Sequence, residues 1–191
     1  MGVRLRSRDQ MEKWGLAHEK FSSEESTHEQ IQGENYDYCF FLDSRGIVHK
    51  EFVPPGQTVN HAFYRDVLER LRKRIQQVQT DIADDWVLQH DNAPAHTVLS
   101  IREFLVKKNI PVLPHPPYSP DIAPCDFYLF PKLKSELKGH HFGTMENIQI
   151  IVTDELHTLT ENDFRYCCDQ WKKRWNHCVT SQGSYFEGYN L

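Results

Sequence analysis

Two aspartates occupy positions where a carboxylate can do chemistry. Asp91 lies in His90-Asp91-Asn92-Ala93-Pro94-Ala95-His96, and Asp126 in Tyr118-Ser119-Pro120-Asp121-Ile122-Ala123-Pro124-Cys125-Asp126-Phe127, with thirty-four residues between them. A hard divalent cation such as Mg²⁺ is held by one or two carboxylates, with waters and substrate phosphates filling its remaining positions. A carboxylate at a helix start also complements the helix macrodipole, so position alone leaves a structural role open for each. His96 reads as a support for the Asp91 loop and Asn92 as a helix cap. Lys132, Lys134 and Lys138, just beyond Asp126, are candidates for phosphate contacts beside a metal. The eleven histidines include no pair at zinc-ligand spacing on one helix. A Ser-His-Asp constellation, a phosphate-binding glycine loop and a dinucleotide motif are all missing from the sequence.

The elements that must position these residues follow from hydrophobic pattern. Tyr38–Leu42 is a short apolar run, Asp43-Ser44-Arg45-Gly46 a turn cluster and Ile47–Val53 a β-rich run, which together read as a hairpin. Asn60 caps a helix with the stripe Tyr64, Val67, Leu68, Leu71, Ile75 and Val78. Trp86–His90 reads as a buried strand ending at Asp91, and Pro94 opens a helix carrying Val98, Ile101, Phe104 and Leu105. Ile110–Leu113 is a short strand, and Pro114 to Pro124 an extended loop of a length that is often functional. Helix resumes near Cys125, with Pro131 expected to interrupt it and Gly139 to end it. Two further helices follow, one on Ile148, Ile151, Val152, Leu156 and Leu159, the other on Phe164, Cys167, Cys168, Trp171, Trp175 and Cys178. In the second, Trp171 and Trp175 read as core and the intervening basic residues as a solvated face. The order β-β-α-β-α-β-α-α-α bounds the class as α/β or α+β with a mixed sheet. Residues 1–36, Ser/Glu-rich in the middle and without a sustained period, are expected to be poorly ordered or only partly structured.

Composition narrows the classes further. The 191 residues carry 22 basic and 27 acidic side chains, a formal charge of −5, so binding to nucleic acid needs a local basic face. Five cysteines, odd in number and without a C-x-x-C pair, signal neither a disulfide framework nor a zinc ribbon and favour a reducing compartment. An apolar run of the ~20 residues that cross a bilayer does not occur, and the first residues lack a signal-peptide pattern, so neither membrane insertion nor secretion is expected.

The segments HDNAPAH, PHPPYSPDIAPCDFYLFPKLK, GIVHKEFVPPGQTVN and WKKRWNHCVTSQGSYFEG resemble mariner-type transposases of the Tc1/mariner superfamily over roughly Tyr38 to Gly188. The resemblance implies an α/β, ribonuclease-H-like mixed sheet flanked by helices. It also implies metal-dependent cleavage of a DNA phosphodiester and strand transfer, with Asp91 and Asp126 as the second and third acidic residues and Mg²⁺ or Mn²⁺ as cofactor. The family's first acidic residue lies in a D-E-x-W motif on the opening strand. Met11-Glu12-Lys13-Trp14 is the nearest match, which puts Met11 in place of the first Asp. On that alignment metal binding is weakened and catalysis is impaired; without it the opening strand is absent, so the first strand is expected to be missing or divergent. The organisation expected is a divergent segment 1–36 followed by a catalytic domain 37–191. The partners expected are non-specifically bound DNA and a possible homodimer, without a membrane or small-molecule substrate, in the nucleus or in the cytoplasm before import. A non-catalytic DNA- or protein-binding module, retained after exaptation, is the alternative.

Overall fold

The computed structural model describes residues 21–31, 34–54, 56–137 and 144–181. Three strands open it: β1 (Phe21–Ile31), β2 (Glu34–Asp43) and β3 (Gly46–Phe52). Helix α1 (His61–Val78) leads to β4 (Val87–His90), the single turn α2 (Pro94–Thr97), α3 (Leu99–Lys107) and the short β5 (Val112–Leu113). After the Pro-rich loop come a 3₁₀ turn at Pro120–Ile122, a π-helical turn at Cys125–Leu129, and the helices α4 (Phe130–Leu137), α5 (Met145–Thr158) and α6 (Glu161–Thr180). The sheet order is β3-β2-β1-β4-β5. β1 and β3 flank β2 antiparallel, whereas β4 runs parallel to both β1 and β5. This is the ribonuclease-H-like arrangement.

The opening strand is therefore in place, so of the two alternatives, a missing or a divergent first strand, it is the divergent one that holds. Residues 21–31 form the central strand of the sheet, paired on one edge with β2 and on the other with β4. The sequence Phe-Ser-Ser-Glu-Glu-Ser-Thr-His-Glu-Gln-Ile carries no apolar alternation. Its place is set by backbone pairing on both edges, which a hydrophobic pattern does not report. Met11 lies outside the described residues, and the strand beside β4 is 21–31 rather than the segment around Met11.

Period two explains the layers. Cys39, Phe41, Val48 and Leu88 pack on one face of the sheet with Tyr64, Val67, Leu68, Leu71 and Ile75 of α1 and with Ile101 and Leu105 of α3. Tyr38, Phe40 and Leu42 pack on the other with Cys125, Leu129, Phe130 and Leu133, and with Ile148, Val152, Leu156 and Phe164 beyond. A strand apolar on both faces belongs between two helical layers. Asn60 caps α1 as its sequence indicates, accepting from the backbone N–H groups of Ala62 and Phe63. Val78, expected on the buried stripe, is the last residue of α1 and is exposed.

Two expected helices are built differently. The chain breaks at Val98, which is extended, so the helix expected from Pro94 is a turn followed by a separate helix. Pro131 does not interrupt its helix. The π turn precedes it, with the Phe130 N–H donating to the Cys125 carbonyl five residues back, and α4 continues through the proline. A proline removes one i→i−4 hydrogen bond and crowds the preceding carbonyl, and the wider turn absorbs both at that point. Gly139, the expected helix end, lies outside the described residues. All five cysteines are free and buried.

Candidate active site at the carboxyl end of the central strands

β4 delivers Asp91 to the sheet's carboxyl edge, where open α/β sheets bind ligands. Leu88, Gln89 and His90 are buried, and Asp91 is the first residue to emerge. Its Oδ1 accepts the Ala93 N–H at 2.9 Å, the turn that starts α2, and lies 2.6 Å from Nδ1 of His96. Burial works to raise the Asp91 pKa, but the His96 hydrogen bond and charge, together with the Ala93 N–H, outweigh it and hold the carboxyl below its ordinary range. The group is an anion at neutral pH with one oxygen engaged by the protein.

A buried polar cluster backs this carboxylate. The His96 ring lies parallel to that of His90 at 5.2 Å and 4.0 Å from the Tyr64 ring. The Tyr64 hydroxyl pairs with His90 Nδ1 at 2.9 Å. Burial first, and then the neighbouring His96, lower the His90 pKa to about 3, so His90 is neutral. The expectation that His96 supports the Asp91 loop matches this geometry.

Asn92 does not cap a helix. Its Nδ2 donates to the His115 carbonyl at 2.9 Å, while Gln89 Nε2 pairs with His115 Nδ1 at 2.9 Å. Asp91 takes the turn-starting bond to the Ala93 N–H, which frees Asn92 to latch the start of the Pro-rich loop onto β4. His115 is thereby held where the charges of Asp91, Asp126 and Asp121 all act on it, opposing the burial that lowers its pKa. The charges of the two carboxylates singled out in the sequence thus both act on one histidine. Asp126 lies on the exposed face of the π turn, whose Cys125 and Leu129 are anchored in the core.

The three lysines divide. Lys132 Nζ lies 2.8 Å from Asp163 Oδ1 and 4.6 Å above the Tyr128 ring. Asp163 belongs to the capping box of α6, so Lys132 joins α4 to that cap. Lys134 is exposed on α4, and Lys138 lies outside the described residues. Arg174 departs from the solvated face expected of Lys172-Lys173-Arg174: it is half-buried, with Nη1 donating to the Asp121 carbonyl.

The sheet also brings a residue that the sequence pattern passed over. Glu24 pairs with His90 across β1 and β4, so Glu25, one step on, is level with Asp91. Across β1 and β2 the register partner of Glu25 is Phe40, a residue of the face that packs on Cys125, whereas Glu24 partners Phe41 of the α1 face. Parallel-strand register carried that information, and a single strand's composition does not reveal its neighbour.

Among the described residues no three His, Cys, Asp or Glu form a ready metal cage. Asp91 and Asp126 both act electrostatically on His115, and carboxylates are donors that fit Mg²⁺ or Mn²⁺ and are too hard for softer metals.

Residues 6–83 match a family described as transposase (partial DDE domain). The chain is 33% identical over 153 residues to the mariner Mos1 transposase of Drosophila mauritiana, covering 78% of this chain and 44% of that protein. It is 28% identical over 144 residues to the histone-lysine N-methyltransferase SETMAR of Homo sapiens, covering 74% and 21%. It therefore spans less than half the length of these relatives. The structure of the Mos1 transposase catalytic domain with raltegravir and Mn superposes with a TM-score of 0.86 at 27% identity, over 94% of this chain and 90% of that one. A pre-cleavage Mos1 transpososome superposes with a TM-score of 0.84 at 25% identity, over 94% and 60%.

Proposed function

We propose that this chain, a mariner-type transposase catalytic domain in its fold and its matches, processes DNA phosphodiesters at Asp91 and Asp126 with a bound divalent cation. The observation that carries the reading is the place of Asp91 at the carboxyl edge of β4, with the Pro-rich loop that leads to Asp126 latched to the same strand end through Gln89 and Asn92. A bound Mg²⁺ or Mn²⁺ would supply Lewis-acid stabilisation of charge on the phosphate oxygens. The chain's part is to keep Asp91 anionic and aimed through His96 and the Ala93 N–H, and to present Asp126 from a π turn anchored in the core. We assign the family's first acidic position to Glu25, whose register position is level with Asp91, in place of Met11.

Glutamate is one methylene longer than aspartate, and a displacement of about 1 Å in a reacting geometry can cost ~10²-fold in rate. Cleavage is accordingly slow rather than absent. Contacts to DNA are mainly to phosphate and therefore sensitive to salt. The structural relatives include paired-end complexes of Mos1, and by that likeness we place two copies of this chain on DNA ends. A chromosomal DNA substrate would put the chain in the nucleus.

The test is Mn²⁺-supported nicking of supercoiled plasmid by the purified chain beside an Asp91→Ala/Asp126→Ala variant. Slow nicking confined to the parent supports the reading. Equal rates in the two proteins, whether zero or contaminant-level, overturn it and favour a non-catalytic binding module.

A further inference from the structure

The loop that delivers Asp126 is fastened by a helix from the far end of the sequence. Trp171 Nε1 donates to the Ile122 carbonyl at 2.9 Å, and Arg174 Nη1 donates to the Asp121 carbonyl at 3.1 Å. Cys167, one turn earlier on α6, places Sγ 4.0 Å from the Pro124 carbonyl. Positions 167, 171 and 174 form one stripe of α6, and their acceptors are carbonyls from one four-residue stretch of loop. The Arg174 guanidinium also lies 4.5 Å from the centroid of Phe127, the residue after Asp126. Ile122, Trp171 and Trp175 close the contact as a buried cluster.

These bonds add to the loop's own turn bonds, from the Ile122 N–H to the Ser119 carbonyl and from the Ala123 N–H to the Pro120 carbonyl, by tying the turn to α6. Pro120 and Pro124 have no N–H, and a buried carbonyl without a donor is costly. Indole and guanidinium groups are donors only, so each can serve here only by holding a carbonyl. Neighbouring Trp175 is a natural contrast. Its Nε1 is buried and makes no hydrogen bond among the described residues.

We propose that Trp171 and Arg174 are positioning residues for Asp126. By holding the carbonyls of residues 121 and 122 they keep the Asp126 carboxylate within reach of a cation bound at Asp91. The inference rests on the metal reading above.

The test compares Trp171→Phe, Trp175→Phe, Arg174→Met and Arg174→Lys in the full chain. Mn²⁺ affinity is followed by the electron-spin signal of free Mn²⁺, and backbone order by hydrogen exchange of a peptide covering 119–129. Trp171→Phe and Arg174→Met should each weaken Mn²⁺ binding about fivefold, the size of one net hydrogen bond, and speed exchange in that peptide. Trp175→Phe should change neither, and Arg174→Lys, which keeps a donor, should recover part of the affinity. If Arg174→Met does not fold, the two tryptophan variants, each losing one N–H from the same helix, decide the matter. Mn²⁺ binding that Trp171→Phe leaves at the parental value, or that both tryptophan variants lower alike, overturns the positioning role alone. Failure of the parent chain to bind Mn²⁺ overturns the metal reading and the positioning role with it.

Discussion

The Asp91 carboxylate lies 2.6 Å from Nδ1 of a His96 ring that is only 1% exposed. A histidine buried so completely cannot exchange this partner for water, so the bond fixes the carboxylate's direction as well as its charge. Replacing His96 with alanine removes the largest group opposing burial and leaves chiefly the Ala93 N–H, so the Asp91 pKa should rise above its present depressed position. The loss of stability should be about 1–3 kcal/mol, the range for a hydrogen bond to a charged group after allowance for the partial exposure of Asp91. Urea unfolding and NMR titration of the Asp91 side-chain carbonyl measure the two effects.

His90 sets a pH dependence in the same cluster. Its folded pKa of about 3 lies below the ordinary 6.5, so between those values the unfolded chain binds a proton that the folded chain refuses. Its contribution to stability is complete above about pH 6.5 and declines as pH falls towards about 3. The His90 ring should show no NMR titration above pH 4, and the unfolding free energy should fall over that window. A His90 resonance titrating near 6.5 would contradict the burial assigned to it.

Alternation along β1 makes a sharp contrast between adjacent glutamates. Glu25→Gln should weaken Mn²⁺ binding, because its register position is level with Asp91, while Glu24→Gln should leave it unchanged. Met11→Asp should restore no activity. A gain in nicking from Met11→Asp would show that the alignment through Met11-Glu12-Lys13-Trp14, and not the strand register, locates the first acidic residue.

Much of this architecture is legible in the amino-acid order. The β2–β3 turn, the α1 cap at Asn60, the strand into Asp91 and the tryptophan stripe of α6 all follow from local patterns, because each buries one apolar face or satisfies one helix end. The central strand is not legible. Phe21–Ile31 owes its place to partners at residues 34–42 and 87–90, and its composition reads as a tail. Asn92 fails as a cap for a related reason: α2 starts one residue later, with Ala93 at the N-cap, and the Asn92 amide goes to the His115 carbonyl, which sequence spacing alone does not reveal. Arg174 looks like part of a solvated basic run until the loop carbonyl it holds is known.

Lys132 and Lys134 should separate stability from DNA contact. Lys132→Ala frees Asp163 from one partner and should cost up to about 1 kcal/mol, because the pair is partly exposed. It should leave the salt dependence of DNA binding nearly unchanged. Lys134→Ala should instead reduce the slope of log affinity against log salt by about 1 with little change in melting temperature. Fluorescence anisotropy on a short duplex at several salt concentrations, beside thermal unfolding, checks both.

The central claim is that Asp91 and Asp126 hold one cation between them, and a double-mutant cycle on Mn²⁺ binding tests it most directly. Calorimetric titration of the parent, Asp91→Asn, Asp126→Asn and the double variant should show one site in the parent, at least about tenfold weaker in either single variant. The double variant should be little worse than the weaker single one, since groups that act on one ligand are not additive. Parental affinity in either single variant, or losses that simply add in the double variant, would show that the two carboxylates do not share a metal.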